Sequence, residues 1–404
     1  MADQLRVLVV ATKSPWPSAL GGRVAVGGGR VAVGGLVEAL AAAGCAVRVV
    51  TPTGTDRRDA AQHPLLRTVP VAPRSWAAVL GRAVGGASAV VGRWALAPLA
   101  AAVEEEIAAF RPDLIHLEQV HLGWLAPRLV GRVPIVLRQE NVESELLDQL
   151  ANLAPWPARA VLRAEARALG RFEAQTCRLV DLVAAISAPD ALALRRVAPG
   201  AVVEVLPTVA PAAPTGPRVT LVGRPSFLCI GSFDWWPNRD GATWLTREVW
   251  PQLRRWLPDA VLHLAGPGSA SIGRWRVGIV HHGVVASAAD LYDPATTALI
   301  PVRAASGVRI RLLEAWAAGV PAVSTQVGVM GLISPGGPGA VVAVTAADFA
   351  RAAARAASDD GLRADLVEQG SAALAEFAPE KVAARAIELY RQAITVFAAR
   401  RPGA

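Results

Sequence analysis

The sequence predicts an α/β chain of two doubly wound parallel-sheet domains, and three observations point there. Short apolar, β-branched runs alternate with Ala-, Leu- and Arg-rich helical stretches, the pattern of repeating strand–helix units. These runs fall into two sets. Between them lies Leu206-Pro-Thr-Val-Ala-Pro-Ala-Ala-Pro-Thr-Gly-Pro217, with four prolines in twelve residues, which reads as a linker. At 404 residues the chain is also long enough for each half to bury its own core.

Taken in order, Val7–Ala11, Val47–Thr51, Leu114–Leu117, Ile135–Leu137 and Leu182–Ile186 read as strands of the first sheet. Phe227–Ile230, Val261–Ala265, Gly278–His282, Thr297–Val302 and Ala322–Thr325 read as strands of the second. The expected domains are 1–207 and 208–379, with ligands beyond the carboxyl ends of the strands in a cleft between them. The longest uncharged run, Ala315 to Ala347, holds six glycines and three prolines and cannot be a membrane span. The start leads directly into the Val7 strand and leaves no room for a signal peptide. Cys45, Cys177 and Cys229 have neither metal spacing nor a disulfide framework. A soluble protein in a reducing, cytoplasmic setting is expected. All but two of the 41 basic residues are arginine, and the net charge of +8 favours anionic partners. Nucleic acid is the least favoured of these, because no binding module or aromatic-interleaved basic patch is present.

The densest chemistry lies from Pro301 to Pro321. An apolar strand breaks at Arg303 into a small-residue loop ending in Ser306-Gly307. A helix follows, closed by Gly319 with Pro321 beyond, the usual stop chemistry. Arg309 and Arg311 fall in its first turn, where the macrodipole is already positive and amides lack partners. Cations there need an anion between them. A glycine loop, free amides and Arg303, Arg309 and Arg311 at a strand end describe a phosphate site. Glu314, one turn inward, is placed to accept two hydroxyls of a sugar ring, so the pair of features reads as a nucleotide site. The plain alternative is a solvated amphipathic helix with arginines on its outer face.

These residues resemble the nucleotide-sugar signature of family-4-type glycosyltransferases with the GT-B fold, in the branch reading Pro-Leu-Arg, a Gly-rich turn, Arg-x-Lys, then Leu-Glu-Ala-x-Ala-x-Gly-x-Pro. Gly231-Ser-Phe-Asp-Trp-Trp-Pro-Asn238, Glu140-Asn141-Val-Glu143, and Ser14-Pro-Trp-Pro17 followed by Gly21-Gly22-Arg23 resemble further elements of that branch. The resemblance implies two Rossmann-like domains facing each other, with a last helix (Glu380 to Arg400, within 380–404) returning to the first. It implies transfer of a hexosyl unit from a UDP-, GDP- or dTDP-sugar to an acceptor hydroxyl with retention, without metal or other cofactor. Donor contacts would come from Gly21, Gly22, Arg23, Ser232, Asn238, Arg303, Ser306, Gly307, Arg309, Arg311 and Glu314. Arg311 replaces the branch's lysine, and Ser306 stands where the wider family has a first glutamate, which removes one contact to the donor sugar.

Acceptor-side groups belong to the first domain. The wider family often has a donor-contacting histidine where this chain has Glu118, with His121 three residues on. His116, inside the strand, reads as a core histidine. Glu118, His121 and Glu140, with Arg303 and Arg309 on the leaving group, are the candidate catalytic residues, and Glu143 is a second candidate base. Asn141 is equally suited to capping a helix. His281 and His282 read as structural.

Gly22–Gly28 is repeated without change as Gly29–Gly35, and either copy could line the phosphate. A dinucleotide dehydrogenase is excluded, because Thr-Lys-Ser-Pro-Trp-Pro follows the first strand and no acid closes the second. The acceptor is open between a natural product, a lipid-linked molecule and an envelope glycan. The arginine series 159, 163, 167, 171, and Arg74, Trp76, Arg82, Arg93 and Trp94, either touch an anionic membrane from its inner face or form solvated faces. A non-catalytic nucleotide-sugar-binding subunit and a sugar-nucleotide epimerase are the other function classes.

Overall fold

The computed structural model describes residues 4–12, 14, 28–52, 63–76, 78–79, 87–285, 287–332, 337 and 339–400. The chain divides into two compact units. One holds the described residues before position 15, Gly29–Val209 and the chain from Pro379; the other holds Ala210–Ala378.

The first unit is built on a parallel sheet of seven strands: β1 (Arg6–Val10), β2 (Ala46–Pro52), β3 (Leu66–Val69), β4 (Leu114–Glu118), β5 (Ile135–Gln139), β6 (Leu182–Ala185) and β7 (Val203–Val205). Their order is β3-β2-β1-β4-β5-β6-β7. Because side chains alternate across a strand, β1 serves two cores. Val7 and Val9 meet Leu36 and Leu40 of the helix Gly28–Ala42, with Leu389 and Tyr390 of the helix Pro379–Ala399. Leu8 and Val10 meet Leu99 and Val103 of the helix Ala97–Phe110 on the other face. The second copy of the heptad repeat starts the helix Gly28–Ala42. A side chain at Gly35 would meet Val209 at 3.0 Å, so close helix packing accounts for that glycine.

Two carboxylates on the long helix Ala158–Leu179 cap its neighbours. Glu165 accepts the amides of Ala89 (3.1 Å) and Val90 (3.0 Å), the first turn of the helix Ala89–Trp94. Glu173 accepts the Glu143 amide at 3.1 Å and the Ser144 hydroxyl at 2.5 Å. It thereby serves the start of the helix Glu143–Leu153, where orphan amides and the dipole both favour an anion. Asn141 does not cap that helix; its amide donates to Glu143 at 3.0 Å instead.

The second unit carries a six-stranded parallel sheet: β8 (Ser226–Ile230), β9 (Val261–Ala265), β10 (Ile279–Gly283), β11 (Thr297–Ile300), β12 (Ala322–Thr325) and β13 (Ala340–Ala343). The order is β10-β9-β8-β11-β12-β13, so in both units the winding reverses beside the first strand. Ligand crevices of open α/β sheets lie at the carboxyl ends of those strands. The expected Thr297–Val302 strand stops at Ile300, where Pro301 has no amide to offer the ladder. β3, β7 and β13 were not expected from the sequence. Each is an edge strand of three or four residues.

Candidate functional site

In the second unit the reversal point lies between β8 and β11, and the loops after these strands meet there. The β8 loop runs into the helix Trp236–Trp244. Asn238 turns back to donate to the Ser232 carbonyl at 3.1 Å, so this pair fixes the loop's shape. A side chain at Gly241 would collide with the Pro301 carbonyl, and glycine lets the helix lie directly on the β11 loop. That loop turns at Gly307, with φ of 73°, and enters the helix Ile310–Ala317 with Arg309 as its N-cap residue.

The three arginines do not converge around a vacant anion position. Arg303 grips Asp240 at two points, Nε to Oδ2 at 2.8 Å and Nη2 to Oδ1 at 2.6 Å. Those bonds raise its pKa further. Arg309 donates to the Ser306 carbonyl. Arg311 Nη1 lies 2.7 Å from Oε1 and 2.6 Å from Oε2 of Glu314. Burial disfavours the Arg311 charge, but the Glu314 carboxylate outweighs it and keeps the guanidinium charged. The expectation that only a bound anion could tolerate these cations is therefore corrected, since each has a protein acceptor.

Glu314 is also corrected in detail. The Tyr292 hydroxyl donates to its Oε2 at 3.0 Å, and Tyr292 itself is 2% exposed. A carboxylate has about four acceptor sites. Arg311 and Tyr292 occupy three of them, which leaves about one on Oε1 rather than two for a diol.

In the first unit a polar network sits beyond and within the ends of β4 and β5. His116 contacts Tyr390 at 2.8 Å through Nδ1 and Glu118 at 2.9 Å through Nε2. Arg138 Nη1 donates to Glu118 Oε1 at 2.9 Å and lies 3.8 Å from Glu140 Oε1. Gln119 Nε2 donates to Glu140 Oε2 at 2.7 Å. Burial opposes ionisation of Glu118, but Arg138 and His116 more than offset it and hold its carboxyl below the usual range. Glu140 shifts the other way. Burial and the Glu118 charge push it up to about 7, against the pull of Arg138. Two carboxyls flanking one guanidinium are thus driven apart, the arrangement that separates an ionised from a protonated acid near neutral pH.

Glu118 was expected at a strand end facing ligand. It is the last residue of β4, 1% exposed, and its oxygens belong to His116 and Arg138. Its place is in the support of Glu140. His116 is a core histidine, as its position in the strand implied. His121 lies half-buried in the turn Val120–Leu125. His281 and His282 lie in β10, one bonded to the Ile272 carbonyl and the other to His263, each at 2.8 Å. Gly21, Gly22 and Arg23 lie outside the described residues. Among the described residues there is no cluster of three metal-ligating side chains and no helix long and apolar enough to cross a membrane.

Sequence reasoning missed Asp240, Tyr292, Arg138, Gln119 and Tyr390. Arg138 carried one available signal: a charged residue inside the apolar run Ile135–Gln139 must be paired if the strand is central.

The sequence matches two family models in tandem, Glycosyltransferase Family 4 over residues 26–212 and Glycosyl transferases group 1 over residues 224–359. No curated protein sequence matches significantly. Solved structures similar to this one include a sucrose-phosphate synthase from Thermosynechococcus elongatus, with a TM-score of 0.73 at 20% identity, covering 98% of this chain and 100% of that one. The Anabaena protein HepE in complex with UDP and glucose gives a TM-score of 0.60 at 13% identity, covering 96% and 100%. WaaG, a glycosyltransferase involved in lipopolysaccharide biosynthesis, gives 0.63 at 14% identity, covering 95% and 99%. The paired models, the two sheets wound in the same order and the shared fold agree: this chain is a family-4-type, nucleotide-sugar glycosyltransferase of the GT-B fold.

Proposed function

We propose that the enzyme transfers a hexosyl unit from a UDP-, GDP- or dTDP-sugar to an acceptor hydroxyl with retention of anomeric configuration. The observation that carries this reading is the state of Arg303. Asp240 fixes two of its nitrogens, while Nη1 makes no hydrogen bond among the described residues and 35% of the side chain is exposed. It opens the loop that runs from β11 through Ser306-Gly307 into the helix Ile310–Ala317. A diphosphate placed there receives a charge-assisted bond from an arginine whose orientation is already set, together with helix amides. The UDP in the HepE structure supports a nucleoside diphosphate as the donor's leaving group.

In this mechanism the bond between the sugar's anomeric carbon and the diphosphate oxygen breaks, and the charge develops on the diphosphate. Arg303 and the helix amides stabilise that charge, each ionic hydrogen bond contributing roughly 1.5–3 kcal/mol. The remaining acceptor site on Glu314 takes a ribose hydroxyl. The acceptor's oxygen bonds to the anomeric carbon, and its proton goes to the departing phosphate oxygen. Glu140, with its pKa pushed up to about 7, is the acceptor-side carboxyl of the first unit, and when ionised it is the base that can relay that proton.

The test is a thermal-shift screen against the three classes of nucleotide sugar, followed by donor turnover with the best binder. Stabilisation by one class and slow release of free sugar are expected. No stabilisation by any class removes the reading. Binding without turnover indicates a non-catalytic subunit, and a rearranged but unreleased sugar indicates epimerisation.

A further inference from the structure

At the amino end of β9 and β10, the end opposite the nucleotide loops, the second unit presents a surface that the transfer reaction does not use. Gly273-Arg-Trp-Arg-Val-Gly278 forms a protruding loop in which Trp275 is 87% and Val277 74% exposed. Beside it, the helix Trp250–Trp256 ends in Arg255 and Trp256, the latter 50% exposed.

The loop's shape is imposed rather than loose. Gly273 and Gly278 both have positive φ, 60° and 77°, which a side chain would strain. The Arg276 amide donates to the Gly273 carbonyl at 2.8 Å. The Trp250 indole donates to the Val277 carbonyl at 3.0 Å, and the Gly278 carbonyl accepts the Leu262 amide at 2.8 Å. These bonds tie loop, helix and sheet together and leave Trp275 and Val277 directed outward.

The charge there is one-sided. Residues 251–278 contain four arginines and a single acid, Asp259. The guanidinium groups of Arg255, Arg274 and Arg276 make no hydrogen bond or ion pair among the described residues, and Arg274 lies 5.0 Å from the Trp275 ring centre.

We infer that this loop and helix end dock the enzyme on an anionic phospholipid surface. Tryptophan and arginine are the residues that suit the headgroup layer, with the indole at the apolar boundary and the guanidinium on phosphate. A protruding tip of alternating arginine and apolar residues fits a deformable layer, whereas an acidic protein partner would call for a concave counterpart. One of the two basic surfaces that the sequence left open between a membrane and solvent is the arginine series on the helix Ala158–Leu179. Its members at the helix start are already engaged, Arg159 with the Ala151 and Ala154 carbonyls and Arg163 with Asn152. Trp156 beside them is 82% exposed, which makes that tip the proper control.

The experiment is vesicle flotation of the full chain with phosphatidylcholine alone and with added phosphatidylglycerol. Binding only to the anionic vesicles is expected. Arg274→Ser with Arg276→Ser should weaken it roughly thirtyfold, about fivefold per arginine. Trp275→Ser should weaken it with donor binding unchanged, and Arg159→Ser with Arg163→Ser should leave it intact. The proposal is overturned if the enzyme ignores anionic vesicles, if loop variants float as the parent does, or if only the Arg159/Arg163 variant loses binding. Binding of poly-glutamate without vesicle binding would assign the patch to an acidic protein instead. Because flotation needs no sugar donor, its outcome is independent of the transfer reading.

Discussion

Arg303 and Asp240, 63 residues apart, form a two-point ion pair with contacts of 2.8 and 2.6 Å. The pair joins the loop after β11 to the helix Trp236–Trp244. A bidentate carboxylate fixes the guanidinium plane and so directs the remaining donors. Asp240→Asn keeps the size but loses the second acceptor and the charge. It is expected to raise the KM for the donor and lower turnover about tenfold, while Arg303→Ala costs more. Steady-state kinetics with the best donor check both. If Asp240→Asn instead tightens nucleoside diphosphate binding, Asp240 competes with the phosphate rather than positioning its ligand.

The Arg311–Glu314–Tyr292 cluster gives a stability prediction. Glu314→Gln leaves a mostly buried guanidinium without its counter-charge. Removing one partner of a fully buried pair costs about 3–5 kcal/mol; the side chains are 20% and 13% exposed here, so about 2 kcal/mol is expected. Tyr292→Phe removes one hydrogen bond, about 1 kcal/mol. Urea unfolding midpoints measure both, and equal midpoints for parent and Glu314→Gln would show that the pair adds nothing.

Glu140 sets a pH dependence. Burial and Glu118 push its pKa up to about 7, and it can accept a proton only when ionised. If it serves the acceptor, kcat/KM rises with pH through about 7, and Glu140→Gln abolishes that rise together with most activity. Since Arg138 opposes the upward shift, Arg138→Met should move the inflection to higher pH. A flat profile in the parent enzyme would leave deprotonation to the departing phosphate alone.

Glu173 makes a prediction about stability rather than rate. Burial pushes its pKa up to about 7 against the Ser144 hydrogen bond. The folded state therefore holds the proton more tightly than the unfolded chain, whose value is near 4.5. Its favourable contribution is present below about pH 4.5 and is lost as pH rises to about 7. Glu173→Gln should thus gain on the parent between pH 5 and 8, by at most about 3 kcal/mol. Melting temperatures of both proteins across that range show the crossing or its absence.

The fold was legible because parallel strands buried on both faces read as continuous apolar runs. β1, β6 and β8 are such runs. The edge strands β3 (Leu-Arg-Thr-Val), β7 (Val-Glu-Val) and β13 were not, because strands this short have too few residues to show a period. The loop and helix after Pro301 were legible too, through their glycine, their arginines and the stop at Gly319. What those arginines touch was not.

By itself the sequence determined most strands of the two sheets and the helix after Gly307, which rest on local patterns along the chain, and its motifs carried the resemblance to the family. The tertiary structure alone decided which polar and charged groups already have partners. Asp240 reaches Arg303, Tyr292 reaches Glu314, and Tyr390 reaches His116 across 274 residues. The physical reason is that a formal charge can be read from one residue, whereas its field depends on partners and burial that only folding brings together.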